Sequence, residues 1–324
     1  MHKSVNIKDV AQLAQVSTAT VSRYLHGQLN RMAPTTAQKV AAAIEKLNYV
    51  PNAAAQQLIT NRSKTIAVVV ANAADSFSTA IFKGACSVLE AADYIPVMLD
   101  TNSDQNTENK LINAVGLGTY DGLILQPLSS DVPTIQAEVR RQMPIVTLDR
   151  QLDYSPWPQV IINNFTSSQK AAQYFKSEHY QQILILSASV AIASTRQERL
   201  QGIKSIYPQA ALIEIDERHI EHEQVQHQII SFLQKQHQKT VLFSLKERWL
   251  LEFLPALISL GILQNKNIQI SGFADTLLVS AIWPSAKMIQ QNPFSMGQIA
   301  GKRLLQILNK DSSIQPLTVI PTTF

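Results

Sequence analysis

Two short apolar stripes near the start of the chain limit what it can become. Ile7, Val10, Ala11 and Ala14 recur at i, i+3, i+4 and i+7, the buried stripe of one short helix, and Asn6 with Asp9 three residues on can cap its start. A tight Gln15-Val16 turn leads to Ser17, an N-cap for a second helix whose Val21 and Leu25 can fold back on the first. The opposite face of that helix carries Thr18, Ala19, Ser22 and Arg23. Helix, turn and helix at this spacing make a unit whose second helix fits a DNA major groove, although any small helical hairpin shares the periodicity.

Charge separates the two readings. Residues 1–62 hold seven Lys or Arg against two acids, +5, in a chain of net +4. The remaining 262 residues therefore carry −1, so all of the net positive charge sits on the helix-turn-helix segment, as a polyphosphate partner requires.

Asp9-Val-Ala, Val16-Ser, Thr20-Val-Ser-Arg23, Leu47-Asn-Tyr-Val-Pro-Asn52 and Ala55-Gln-Gln-Leu58 together resemble the DNA-binding headpiece of the lactose/galactose repressor (LacI/GalR) family of bacterial transcription regulators. The resemblance implies that Thr18, Ala19 and Arg23 read base edges, with Ser17, Thr20, Ser22 and His26 on the same contact surface. Arg23 can bond guanine through two donors, whereas Ala19 offers only a methyl. It also implies a homodimer on a palindromic double-stranded operator.

Beyond this pair, Pro34 suits the first turn of a third helix with Val40, Ile44 and Leu47 inward and Pro51 as its stop. The family's usual Ser cap and following Arg are here Ala33 and Ala37, which leaves Thr35 and Thr36 as the donors to phosphate. Asn52 can cap a very short segment, Ala53 to Ile59, too short to be a stable helix alone. In the family this is the hinge helix, which pairs with its twin, contacts DNA through residues matching Asn52 and Ala55, and drives the one matching Leu58 into the minor groove. A fourth ordinary bundle helix with Leu58 in its core is the alternative. Thr60 to Thr65 reads as a polar linker.

The chain of 324 residues, 45% hydrophobic and 16% charged, has core material for a large second domain. Its start lacks an apolar signal region and no run is long enough to span a bilayer, so a cytoplasmic protein without membrane contact is expected. The single cysteine, Cys86, lies among Ile81, Ala85 and Leu89 and reads as a small core residue.

From Thr65 the pattern changes. Apolar runs of strand length occur at 66–70, 95–99, 122–125, 144–148, 160–162, 183–186, 212–215, 241–245 and 268–270, with helix-like segments between them. This rhythm predicts two parallel α/β sheets with right-handed crossovers. Lys287 to Leu308 resembles the family segment that returns to the first lobe. The expected organisation is an all-α headpiece at 1–50, hinge and linker at 51–64, and a periplasmic-binding-protein-like body at 65–324. Lobe 1 of that body would be 65–159 with 291–324, and lobe 2 would be 160–290.

Carried across from the family, the effector residues are Asp75, Phe77, Arg150, Asn163, Arg199, Lys246 and Asp275. Several pairs depart from the usual pattern: Asp-Asn is here Asn163-Asn164, Asn-Asp is Lys246-Glu247, and Asp-Asp is Ala274-Asp275. Two pocket acids are lost on this reading, and a lysine is gained. Losing a carboxylate that bonds a sugar hydroxyl costs about 1.5 to 3 kcal/mol for a neutral ligand and removes repulsion toward an anion. The expected effector is therefore a carbohydrate-derived acid such as a ketodeoxy-aldonate, or a sugar phosphate, gripped by Arg199 and Lys246 with help from Arg150. If Lys246 instead pairs with Glu247 or Asp275, a neutral sugar is expected.

No Gly-rich phosphate loop, nucleophile elbow or cysteine zinc spacing occurs, and no cofactor is expected. His219, His222 and His227 with Glu221 and Glu223 read as a solvated helix face rather than a metal site. Lobe closure would shift the spacing of two hinge segments in a dimer, coupling effector to DNA. A transport-type sugar-binding protein and an architectural DNA binder remain the rivals, the first opposed by the basic headpiece.

Overall fold

The computed structural model describes residues 5–25, 27–50, 62–118, 120–139, 141–217, 219–235, 237–311 and 313–324. The chain forms two compact units, Met1–Ser63 and Lys64–Phe324.

In the first unit, α1 (Ile7–Ala14), α2 (Thr18–Leu25) and α3 (Pro34–Lys46) enclose a core of Val10, Ala11, Ala14, Val21, Val40 and Ala43. Asn6 caps α1 through Lys8 N–H, and its own backbone N–H donates to Asp9, a capping box that fixes where the helix begins. Gln15 ends α1 at φ 55°, a left-handed residue that turns the chain toward α2. There Ser17 Oγ accepts the Thr20 N–H at 3.2 Å. Helix α3 stops before the expected Pro51: Asn48 adopts φ 45° and Tyr49 N–H closes onto Ile44 carbonyl, so a left-handed turn ends the helix.

The second unit has two parallel sheets. The first, in the order β11-β5-β4-β3-β1-β2, comprises β1 (Thr65–Val70), β2 (Ile95–Asp100), β3 (Gly122–Leu125), β4 (Ile145–Asp149), β5 (Gln159–Ile162) and β11 (Leu317–Ile320). The second, in the order β10-β9-β8-β6-β7, comprises β6 (Gln182–Ala188), β7 (Ala211–Ile215), β8 (Thr240–Ser244), β9 (Ile268–Ala274) and β10 (Lys287–Gln290). Fully buried β3, β4, β5 and β8, with β1 buried beyond Thr65, are the near-continuous apolar runs expected of strands covered on both faces.

Val160–Ile162 was expected to open lobe 2, but β5 pairs with β4 and β11 and belongs to the first sheet. The chain crosses only after it, at Asn163, into α7 (Asn164–Ser177) and α8 (Ser194–Lys204). It returns after β10 through Gln291, into α12 (Pro293–Leu308), and crosses a third time after β11, where Thr323 pairs with Gln290 and Phe324 packs on Tyr174 and Phe175, so the end of the expected 291–324 segment belongs with lobe 2. Cys86 is half-buried rather than core, because it lies on the flank of α4 (Ser76–Leu89) beside the buried stripe of Ile81, Ala85 and Leu89. Helix α12 packs closely on α4, where a Cβ on Gly297 would fall 1.9 Å from the Ile81 carbonyl oxygen. No described helix is long and apolar enough to cross a membrane.

Candidate functional site

Because Val21 and the inner edge of α2 are spent on the headpiece core, the opposite face is left outward. Ser17, Thr18, Ala19 and Arg23 are exposed, and Thr20 and Ser22 are half-buried. Thr35 is exposed in the first turn of α3, whose N-cap Ala33 supplies no side-chain acceptor. His26, Asn52, Ala55 and Leu58, and with them the expected hinge helix, lie outside the described residues.

In the second unit the carboxyl ends of both sheets border a cleft of about 700 Å³. Asp75, Phe77, Arg150, Arg199, Lys246 and Asp275 all line it. Asn163 does not. It caps α7 by accepting the Thr166 N–H at 3.0 Å and faces a separate groove with Lys170 and Phe324. Its neighbour Asn164 turns inward instead, one helical step of roughly 100° away. Ala274 is likewise buried in the lobe 2 core, while Asp275 reaches the cleft. Positions 163 and 274 thus lie outside the cleft, so an acid absent from either does not change the cleft's charge.

Arg199, 7% exposed, is held in a fork. Nε donates to Asn164 Oδ1 at 2.8 Å, Nη1 to the Leu245 carbonyl at 2.6 Å and Nη2 to Gln291 Oε1 at 2.8 Å, while the guanidinium lies 3.8 Å from the Phe273 ring centroid. Three neutral acceptors engage it before any ligand does. Lys246 Nζ is also engaged, 2.7 Å from Asp75 Oδ2, an acid of the other lobe and neither of the alternative partners Glu247 and Asp275. Glu247 is occupied elsewhere: its carboxylate accepts the N–H groups of Asp275 and Thr276 and the Thr276 hydroxyl, each at 2.8 Å, and so shapes the turn after β9.

Asp275 accepts from Gln291 Nε2 at 2.6 Å. Burial, reinforced by the nearby Asp75 carboxylate, pushes its pKa up to about 7 against the pull of Arg199. Arg150 differs from the other cations. Its guanidinium is buried, which lowers its pKa, yet Nε and Nη1 have no hydrogen-bond partner. Asp149 before it, at φ 74°, turns the chain at the end of β4 and is held by Gln126 Nε2 at 3.0 Å.

Asp149, Gln126, Asn164, Arg196 and Gln291 were not among the expected site residues. Asp149 had a signal in Leu148-Asp-Arg150 and Asn164 in the Asn163-Asn164 pair; the others gain meaning from contacts between distant segments. Arg196 pairs with Glu217 at 2.7 Å. Five cations and six acids line the cleft, so net charge does not select an anion. Arg196, Arg199 and Lys246 are engaged, which leaves the exposed Arg248, stacked on Trp249, and Arg150, the buried one of the two. Among the described residues no group of His, Cys, Asp and Glu could hold a metal ion.

A helix-turn-helix unit followed by a two-lobed receptor with an interlobe cleft defines a periplasmic-binding-protein-like regulator. Residues 6–52 match the model of bacterial regulatory proteins of the lacI family, and residues 63–233 match that of periplasmic binding proteins and the sugar binding domain of the LacI family. The chain belongs to the LacI family and is a DNA-binding transcriptional regulator. It is 28% identical to the HTH-type transcriptional regulator KdgR of Bacillus subtilis (strain 168) over 312 residues, 94% of this chain and 91% of that protein. A LacI transcriptional regulator from Lactobacillus brevis, of known crystal structure, is 39% identical, with 80% of this chain and 98% of that one covered at a TM-score of 0.76. The Lac repressor dimer bound to operator and the anti-inducer ONPF shares the fold, at 24% identity, 99% and 97% coverage and a TM-score of 0.84.

Proposed function

We propose that this regulator is a cytoplasmic homodimer that represses carbohydrate catabolic genes and is controlled by a small carbohydrate-derived acid bound between its lobes. The acid group meets Arg150. Its polyol body meets Asp149, Asp275 and Gln291 at the strand ends. The observation that carries this reading is the Arg150 guanidinium, buried with Nε and Nη1 unpaired on the wall of the cleft. A buried cation with two unbonded donors is costly even with Asp149 and Glu108 nearby, and an anion delivered through the cleft compensates both its charge and its donors, which a neutral hydroxyl cannot. Lys246 and Arg199, expected to grip the acid, have partners already; Arg150 takes that role.

At the other end of the chain, the exposed Ser17, Thr18, Ala19 and Arg23, with Thr20, Ser22 and Thr35 beside them, form the face offered to a palindromic operator. Pull-down of the organism's fragmented genome by the full chain at near-physiological salt tests the assignment. Enrichment of a few palindromes beside sugar-acid catabolic or transport genes is expected. Enrichment beside neutral-sugar genes overturns the acid effector, and no enrichment with or without candidate acids overturns operator control.

A further inference from the structure

Asp75 and Lys246 are carried by different lobes. Asp75 is the N-cap of α4, packed on the first sheet, and its Oδ1 accepts the Phe77 N–H at 3.4 Å. Lys246 is the N-cap residue of α10 (Glu247–Ser259), packed on the second sheet, and its carbonyl accepts the Ser244 hydroxyl. Each charge therefore stands at the start of a helix fixed in its own lobe, and the two meet at 2.7 Å over the cleft. The side chains of Lys246 and Asp75 are 26% and 18% exposed respectively, so water screens the pair only in part. The Arg196–Glu217 ion pair and the His222–Glu252 contact, by contrast, each stay within lobe 2.

We propose that the Lys246–Asp75 pair is a clasp that holds the lobes closed without effector, so that an effector must part the pair to enter. In a cleft receptor whose lobes are bridged only by ligand, the empty protein rests open. Here the protein supplies the bridge, using the Asp75 oxygen that a ligand hydroxyl would otherwise take. Asp275, facing the pair beside Arg199 and Glu247, competes for Lys246 least when it carries its proton.

Spin labels on Glu90→Cys and Glu223→Cys, exposed sites in the two lobes, report the distance in the effector-free full chain with Cys86→Ser, diluted with unlabelled protein. The clasp gives one narrow distance at low salt. Lys246→Met should add a longer component, with about a tenfold rise in open population, and Lys246→Arg should restore the narrow one. Raising salt toward 1 M should broaden the parent and leave the Met variant unchanged. An identical narrow distance in parent and Met variant at both salts overturns the proposal, and the salt series on the parent alone decides it if the variant fails to fold. No effector is needed, so this result stands apart from the acid assignment.

Discussion

Arg199 Nη2 donates to Gln291 Oε1 at 2.8 Å, tying a lobe 2 helix to the strand of chain that returns to lobe 1. The same guanidinium reaches Asn164, just past the first crossing, so one buried side chain joins two of the three crossings at the cleft wall. Asp275 hangs on the far side of Gln291. A ligand atom that engages Asp275 therefore acts on the crossing segment through two hydrogen bonds.

Replacing Arg199 by Lys removes the planar fork and leaves Asn164, the Leu245 carbonyl and Gln291 without their donors. A loss of about 2 to 4 kcal/mol is expected, because a point charge on a flexible stem cannot serve three fixed acceptors. Urea unfolding of the second unit measures it; a loss below about 0.5 kcal/mol would show that the fork is incidental.

Asp275 should make stability depend on pH. Its folded pKa, about 7, lies above the ordinary 3.8, so the folded protein holds a proton that the unfolded chain releases. The stabilisation is complete below pH 4 and is lost as pH rises to 7, at up to about 1.4 kcal/mol per pH unit. Asp275→Asn should flatten that slope relative to the parent in melting curves between pH 4.5 and 7.5. Parallel slopes would mean that Asp275 is ionised throughout.

On the headpiece, Arg23→Ala should cost about 1 to 3 kcal/mol in discrimination between operator and mutated operator, while non-specific affinity changes less. Titration of both duplexes at one salt concentration decides it. Unchanged discrimination would remove Arg23 from the base-reading face.

Gly297→Ala should destabilise the first lobe by about 1 to 3 kcal/mol, since the new methyl meets the Ile81 backbone of α4 and neither helix can yield without repacking. A melting temperature equal to the parent's would mean that the two helices separate freely.

Local features were legible in the sequence and cross-chain ones were not. The Asn6–Asp9 capping box and the α1 stripe depend on neighbours within one turn, and both appear as expected. Nine strands stood out as apolar runs, but β10 and β11 did not: Lys287 and Gln290 bound one, and Leu317 and Val319 lie exposed on the other, an edge strand. The lobe of β5 was misjudged because Val160–Ile162 would suit either sheet, and only pairing with β4 decides it. The same holds for the cleft. Asn163 and Asn164 differ by one residue, and the start of α7 determines which faces inward. Lys246 was noticed as an odd cation, yet its partner Asp75 lies far off in sequence, where spacing carries no information.

Calorimetric titration of the full chain at pH 7 with 2-keto-3-deoxygluconate and with a neutral sugar of the same size, for the parent and for Arg150→Met, tests the central claim most directly. Binding of the acid alone, weakened by salt and at least about tenfold weaker in the variant, is the predicted result. Equal binding of acid and neutral sugar, insensitive to salt and to loss of Arg150, would contradict it.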